Sequence, residues 1–182
     1  MERRSLLKLI GAGVLAERVE AVEHELFQIA SSPASYRLQF FSPAQNETVD
    51  TLMELIIPAD DHSPGAREAK VSSFADLIVA NSDKTVQMAW TQGLGAVDAE
   101  AQKRFQTPFR SATPAQQDQI LAAAAANEAH PVSDLDNFFV TLKTMRINGY
   151  YTSSIGIHKD LQYIGNTALP DYYGCTHPEH QA

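Results

Sequence analysis

Apolar residues recur along this chain at helical spacing, three and four positions apart, and no segment alternates with the period of two that a half-buried strand needs. Val49, Leu52, Met53, Ile56 and Ile57 fall on one stripe behind Ser42-Pro43-Ala44-Gln45. Those four residues form a helix start: serine as cap, proline at the first helical position, and glutamine reaching back from the third. Pro58 stops the helix because it lacks the N–H that a further turn requires. A shorter apolar segment carries Val71, Phe74, Leu77 and Ile78. Ser82 is placed to cap a long helix through Val86, Trp90, Leu94, Val97, Ala101 and Phe105. Gly93 and Gly95 lie inside it, where glycine lowers helix stability and lets another helix approach closely. Thr113-Pro114-Ala115-Gln116 repeats the start signature ahead of Ile120, Leu121 and the alanine run 122–126. Ser133 caps a last helix striped by Leu135, Phe138, Phe139, Leu142 and Met145. The expected architecture is all-α: a bundle of about five helices with a long irregular C-terminal tail.

The ends carry a different pattern. Leu6, Leu9, Ile10, Val14, Val22, Leu26 and Ile29 recur at helical spacing, and residues 31–41, with Pro33, read as an extended connector. The organisation expected is a signal or N-terminal helix over residues 1–30 and one helical domain over 31–182, whose tail, 149–182, binds a partner. The tail holds five of the six tyrosines, and tyrosine suits a surface that is dry on one face and polar at one edge. Truncation at residue 149 is expected to leave the bundle folded and to abolish partner binding.

Composition narrows the function. With 182 residues the chain is long enough to bury a core without disulfides or a metal. Its 22 acidic and 14 basic residues give a formal charge of −8, which repels phosphate backbones. No apolar run approaches the length of a bilayer span. The start, Glu2-Arg3-Arg4-Ser5-Leu6-Leu7-Lys8, resembles a twin-arginine export signal, with Arg3 and Arg4 as the pair. Its apolar stretch is short and is broken by Glu17, Arg18 and Glu20, so a periplasmic location is expected and a cytoplasmic one is the alternative. An uncleaved signal that anchors the chain or packs on a partner is a further option.

Candidate chemistry is sparse. Gly11-Ala12-Gly13 follows no strand and makes no dinucleotide fingerprint. Cys175, His177 and His180 cluster near the end; a structural zinc site wants four ligands and a catalytic one three plus water, against one thiol and two imidazoles here, and a nucleophilic thiol wants an orienting group. A disulfide to another subunit or a buried interface thiol is the preferred role for Cys175. Asp60, Asp61 and His62 lie among prolines and a glycine, which favours a turn held by side-chain to backbone bonds over acid–base chemistry. The triplet His158-Lys159-Asp160 is expected to be solvated or bonded at an interface, with reach into a partner's active-site mouth as the sharper alternative. His24 and His130 read as surface residues.

Several short motifs in order resemble the gluconate 2-dehydrogenase subunit 3 family. They are Ile56-Ile57-Pro58-Ala59-Asp60 with Pro64-Gly65-Ala66, Phe138-Phe139 leading to Gly149-Tyr150-Tyr151-Thr152-Ser153, then Ile155-Gly156, Tyr163 and Gly165-Asn166, with Gly174-Cys175-Thr176-His177-Pro178 at the end. The resemblance implies a small subunit with no catalytic residue, cofactor or metal of its own. Its partner would be a large FAD-containing dehydrogenase of the glucose-methanol-choline (GMC) type that oxidises a sugar or sugar acid, with electrons passing on to a cytochrome c subunit. The small subunit would assist folding of the large one and carry its export signal. Partner contacts are expected at Tyr150, Tyr151, His158, Tyr163, Asn166, Tyr172, Cys175 and His177. The alternatives are a stand-alone exported module that binds a sugar or a metal, and an independent enzyme such as a metal hydrolase.

Overall fold

The computed structural model describes residues 36–163 and 165. Within them the chain is helical, with no strand. The elements are α1 (Pro43–Ile56), α2 (Val71–Ala80), α3 (Lys84–Phe105), a 3-10 turn (Phe109–Ser111), α4 (Pro114–Ala126), α5 (Asp134–Tyr151) and a single π-helical turn (Gly156–Asp160).

The helix starts follow from local chemistry. Three helices open on a capping box, in which the cap hydroxyl and the third residue's side chain satisfy each other's backbone N–H: Ser42 with Gln45, Thr113 with Gln116, and Ser133 with Asp136. Each such cap stabilises its helix by about 1 kcal/mol. The long helix differs from expectation by one residue. Asp83, not Ser82, is the cap, accepting from the Val86 N–H at 3.0 Å, while the Ser82 hydroxyl turns back to the Ile78 carbonyl at 2.7 Å. A carboxylate is the stronger acceptor, and Ser82 is already engaged by the preceding helix.

Helices α3 and α5 form the central pair, α4 packs against both, and α2 links α5 to α1. Gly93 lets the central pair meet, since a Cβ there would sit 2.1 Å from the Phe138 ring. Gly95 has open space around its missing side chain, so the close-packing role expected for both glycines belongs to Gly93 alone. Trp90 is fully buried against Phe138, edge to face at 5.3 Å, and against Phe41 at 5.5 Å. A side chain of that size removes roughly 200 Å² from water, on the order of 5 kcal/mol at about 25 cal/mol per Å². The α1 stripe is buried at Val49, Leu52 and Met53 and only part-buried at Ile56 and Ile57, where the helix runs to its end.

Residues 36–41 cross the body without regular structure and are tied down at one point. The fully buried Asp76 carboxylate of α2 accepts from the Tyr36 hydroxyl (2.7 Å) and from the backbone N–H groups of Gln39 (2.6 Å), Phe40 (3.0 Å) and Phe41 (2.6 Å). Four donors satisfy a charge that would otherwise be very costly to bury.

Helix α5 continues past Gly149 to Tyr151, so the irregular tail begins later than expected. Its stripe extends through Tyr150, which is fully buried. Truncation at residue 149 therefore removes part of the core, and the expectation that the bundle would survive that cut is corrected. The expectations for residues 1–35, including Arg3 and Arg4, and for Asn166, Tyr172, Cys175 and His177 lie outside the described residues.

Candidate functional site

The loop after α1 and the end of the described chain meet at one place, and the family-like motifs of both halves of the sequence converge there. The loop is held by carboxylates. Asp60 accepts from the N–H groups of His62 and Ser63, both at 2.8 Å, and these two bonds hold its carboxyl below the usual aspartate range. Glu54 accepts from the N–H groups of Ala59 (3.3 Å) and Arg67 (2.8 Å). The turn expected for Asp60-Asp61-His62 is what the structure shows.

Tyr150 reaches this loop from α5. Its hydroxyl donates to the Pro64 carbonyl at 2.6 Å and stands 2.8 Å from the Ser63 hydroxyl. With the phenol proton on Pro64, the Ser63 hydroxyl is the donor of the second bond. Burial pushes the Tyr150 phenol above its ordinary value. Next to it, Arg146 is buried and donates from Nη1 to the Ile56 carbonyl at 3.2 Å. That places a guanidinium on the C-terminal end of α1, the negative end of its dipole. Burial lowers the Arg146 pKa, and its Nε has no hydrogen-bond partner among the described residues.

The tail then folds back. Ser153 donates to the Tyr150 carbonyl at 2.6 Å and accepts from the Gly156 N–H at 3.0 Å. A side chain at Gly156 would lie 2.1 Å from the Tyr150 carbonyl oxygen, so only glycine admits this turn. The π-turn presents Asp160 to the loop. His62 Nε2 donates to the Asp160 carbonyl at 2.8 Å and lies 3.6 Å from its carboxylate, and the Ser63 hydroxyl is 3.4 Å from the same carboxylate. Burial, together with the nearby Asp160 carboxylate, raises the Tyr151 phenol above its ordinary value. His158 Nδ1 donates to the Tyr163 carbonyl at 3.2 Å, so two histidines act as loop fasteners through N–H groups of opposite ring positions.

Exposed apolar residues lie on the same elements that form the junction. Ile147 (41% exposed), Tyr151 (38%), Leu161 (58%) and Tyr163 (48%) all present large apolar area to solvent. Ile147 and Tyr151 are four residues apart on one face of α5.

Of the residues expected to contact a partner, Tyr151, His158 and Tyr163 are exposed at this junction. Tyr150 is not on the surface. It closes the chain's own core, because it continues the buried stripe of α5 one turn beyond Arg146, and the helical period already carried that signal. Sequence reasoning passed over Ile147, Leu161, Ser63 and Arg146. Ile147 was legible as an apolar residue off the Leu135–Met145 stripe; Ser63 and Arg146 acquire their roles only from partners 87 and 90 positions away. Among the described residues, no three His, Cys, Asp or Glu side chains come together as a metal site, and no helix is long and apolar enough to cross a membrane.

A protein-family model described as gluconate 2-dehydrogenase subunit 3 matches residues 43–167, well over half of the chain and the whole of the junction. No curated protein and no solved structure matches.

Proposed function

The chain belongs to the gluconate 2-dehydrogenase subunit 3 family, and on that premise we propose that it is the non-catalytic small subunit of a large FAD-dependent sugar or polyol dehydrogenase of the GMC type. In this reading it supports folding, export and assembly of the large subunit. Hydride transfer from a sugar carbon to the flavin takes place in that partner, with a cytochrome c subunit as the onward electron acceptor. The location is periplasmic, reached by the twin-arginine-like start at Arg3 and Arg4.

The observation that carries this reading is the exposed apolar surface of Ile147, Tyr151, Leu161 and Tyr163 beside a junction that fixes their positions. Exposed apolar area gathered in one region and rimmed by polar groups is what a protein partner covers. The polar groups beneath it are engaged in holding the loop and tail together, which is the work of a scaffold. The tail beyond residue 165, with Asn166, Tyr172, Cys175 and His177, extends the same contact.

Co-expression with the neighbouring genes, with an affinity tag on this chain, tests the proposal. The expected result is a co-purifying yellow protein of about three times its mass that reduces a dye when a sugar is added. A chain that purifies alone and colourless, with all neighbours expressed and soluble, overturns it.

A further inference from the structure

A second surface feature shares no residue with the junction and is independent of the subunit reading. An open groove of about 310 Å³ runs along the first turns of α3, lined by Phe40, Lys84, Gln87, Met88, Thr91 and Gln92. Its lining is mostly apolar, and Met88 in it is 58% exposed. Lys84 is the charged residue of the lining, and no carboxylate is part of it. Phe40, on one wall, belongs to the segment that the Asp76 carboxylate pins in place. The chain therefore enters the described body beside this groove.

The residues just upstream match it in three respects. Val22, Leu26 and Ile29 recur at helical spacing, the pattern of an apolar stripe. Residues 17–25 carry Glu17, Glu20, Glu23 and Glu25 against the single Arg18, so the flank of that stripe is opposite in charge to Lys84, which within the groove donates to the Gln87 side chain at 3.0 Å. The eleven residues from Ile29 to Phe40 span up to about 36–40 Å when extended, ample for a return to the groove, and Pro33 between them favours a bend.

We propose that residues 22–29 dock in cis on this groove, with Val22, Leu26 and Ile29 against Phe40 and Met88 and the acidic flank beside Lys84. Methionine, unbranched and polarisable, adapts to such an apolar stripe. The N-terminal segment then has a resting place on its own domain, so that the start of the chain and the body it precedes are held together.

The test uses the full chain carrying Cys175→Ser, with Leu26→Cys and Met88→Cys as the only thiols. Under copper-phenanthroline oxidation this pair is expected to give a disulfide within one chain, in at least tenfold higher yield than Leu26→Cys with Lys103→Cys at the far end of α3. Equal yields for the two pairs overturn the proposal. So does a product that is mainly a disulfide between chains, which would put a second copy on the groove. A second measurement leaves Met88 intact: with ¹³C-methyl methionine, Leu26→Asp with Ile29→Asp is expected to shift the Met88 methyl resonance and to leave those of Met53 and Met145 in place. An unmoved Met88 resonance overturns the docking.

Discussion

The hydroxyl of Tyr150 donates to the carbonyl of Pro64 across 86 positions of sequence, at 2.6 Å. This bond, with Ser63 on the same oxygen, joins the loop after the first helix to the end of the last. Replacing Tyr150 by phenylalanine keeps the ring and leaves the Pro64 carbonyl and the Ser63 hydroxyl short of a partner. The expected loss is about 1–3 kcal/mol of stability, read as a lower urea midpoint at unchanged slope. A variant with the wild-type midpoint would show that the junction does not depend on this phenol.

Gly156 admits the turn that returns the tail to the loop. Gly156→Ala drives a methyl into the Tyr150 carbonyl, so residues 156–163 must move, at about 1–3 kcal/mol or through local opening. Hydrogen exchange is expected to accelerate at Leu161 and Tyr163, whose N–H groups bond the Gly156 and Ile157 carbonyls, and to stay unchanged in α3. Acceleration spread over the whole bundle would contradict a local role.

Acid sensitivity follows from Asp136. Burial opposes its ionisation, but bonds from Ser133, Val132 and Asn127 outweigh burial and lower its pKa. A carboxyl whose folded value lies below its unfolded value of about 3.9 contributes fully above that pH and loses its contribution as pH falls through the folded value. Asp136→Asn is therefore expected to be less stable than wild type at pH 7 and to converge with it in strong acid. Melting curves at pH 7 and near pH 3 check this; a gap that stays constant across the range would assign the loss to packing instead.

The exposed apolar surface separates assembly from folding. Ile147→Asp with Leu161→Asp alters two residues that are 41% and 58% exposed, so stability is expected to change by only about 0.5 kcal/mol per site. Recovery of the flavoprotein partner in the co-purification is expected to fall at least tenfold. Full recovery with these two charges in place would locate the contact elsewhere on the chain.

Where a truncation is made decides what it tests. A cut at residue 149 strips Tyr150 from the core, so loss of a partner there reports unfolding. A cut after Gly165 keeps every described contact of the junction, and loss of the partner then reports on the tail beyond it.

Much of the fold was legible because helix formation in this chain is written locally. The Ser42, Thr113 and Ser133 caps lie within three residues of their partners, the stripe of α1 lies within nine residues, and Pro58 ends that helix through its own ring. One departure was local in kind and the other was not. Asp83 competes with Ser82 for one cap, and Gly95 carries the same letter as Gly93 but faces open space. Which glycine meets a neighbouring helix depends on the angle at which α5 crosses α3, and neighbouring letters do not contain that angle.

The candidate site divides along the same line. The sequence by itself determined that residues 58–65 form a turn, that tyrosine gathers toward the C-terminus, and which family the motifs resemble. Only the tertiary structure decided that Tyr150 is core and Tyr151 surface, that His62 fastens Asp160, and that Arg146 caps α1 through the Ile56 carbonyl. Adjacent tyrosines on a helix point about 100° apart, so one reaches the interior and the other solvent. Which one does so depends on where the distant loop arrives, and packing sets that position.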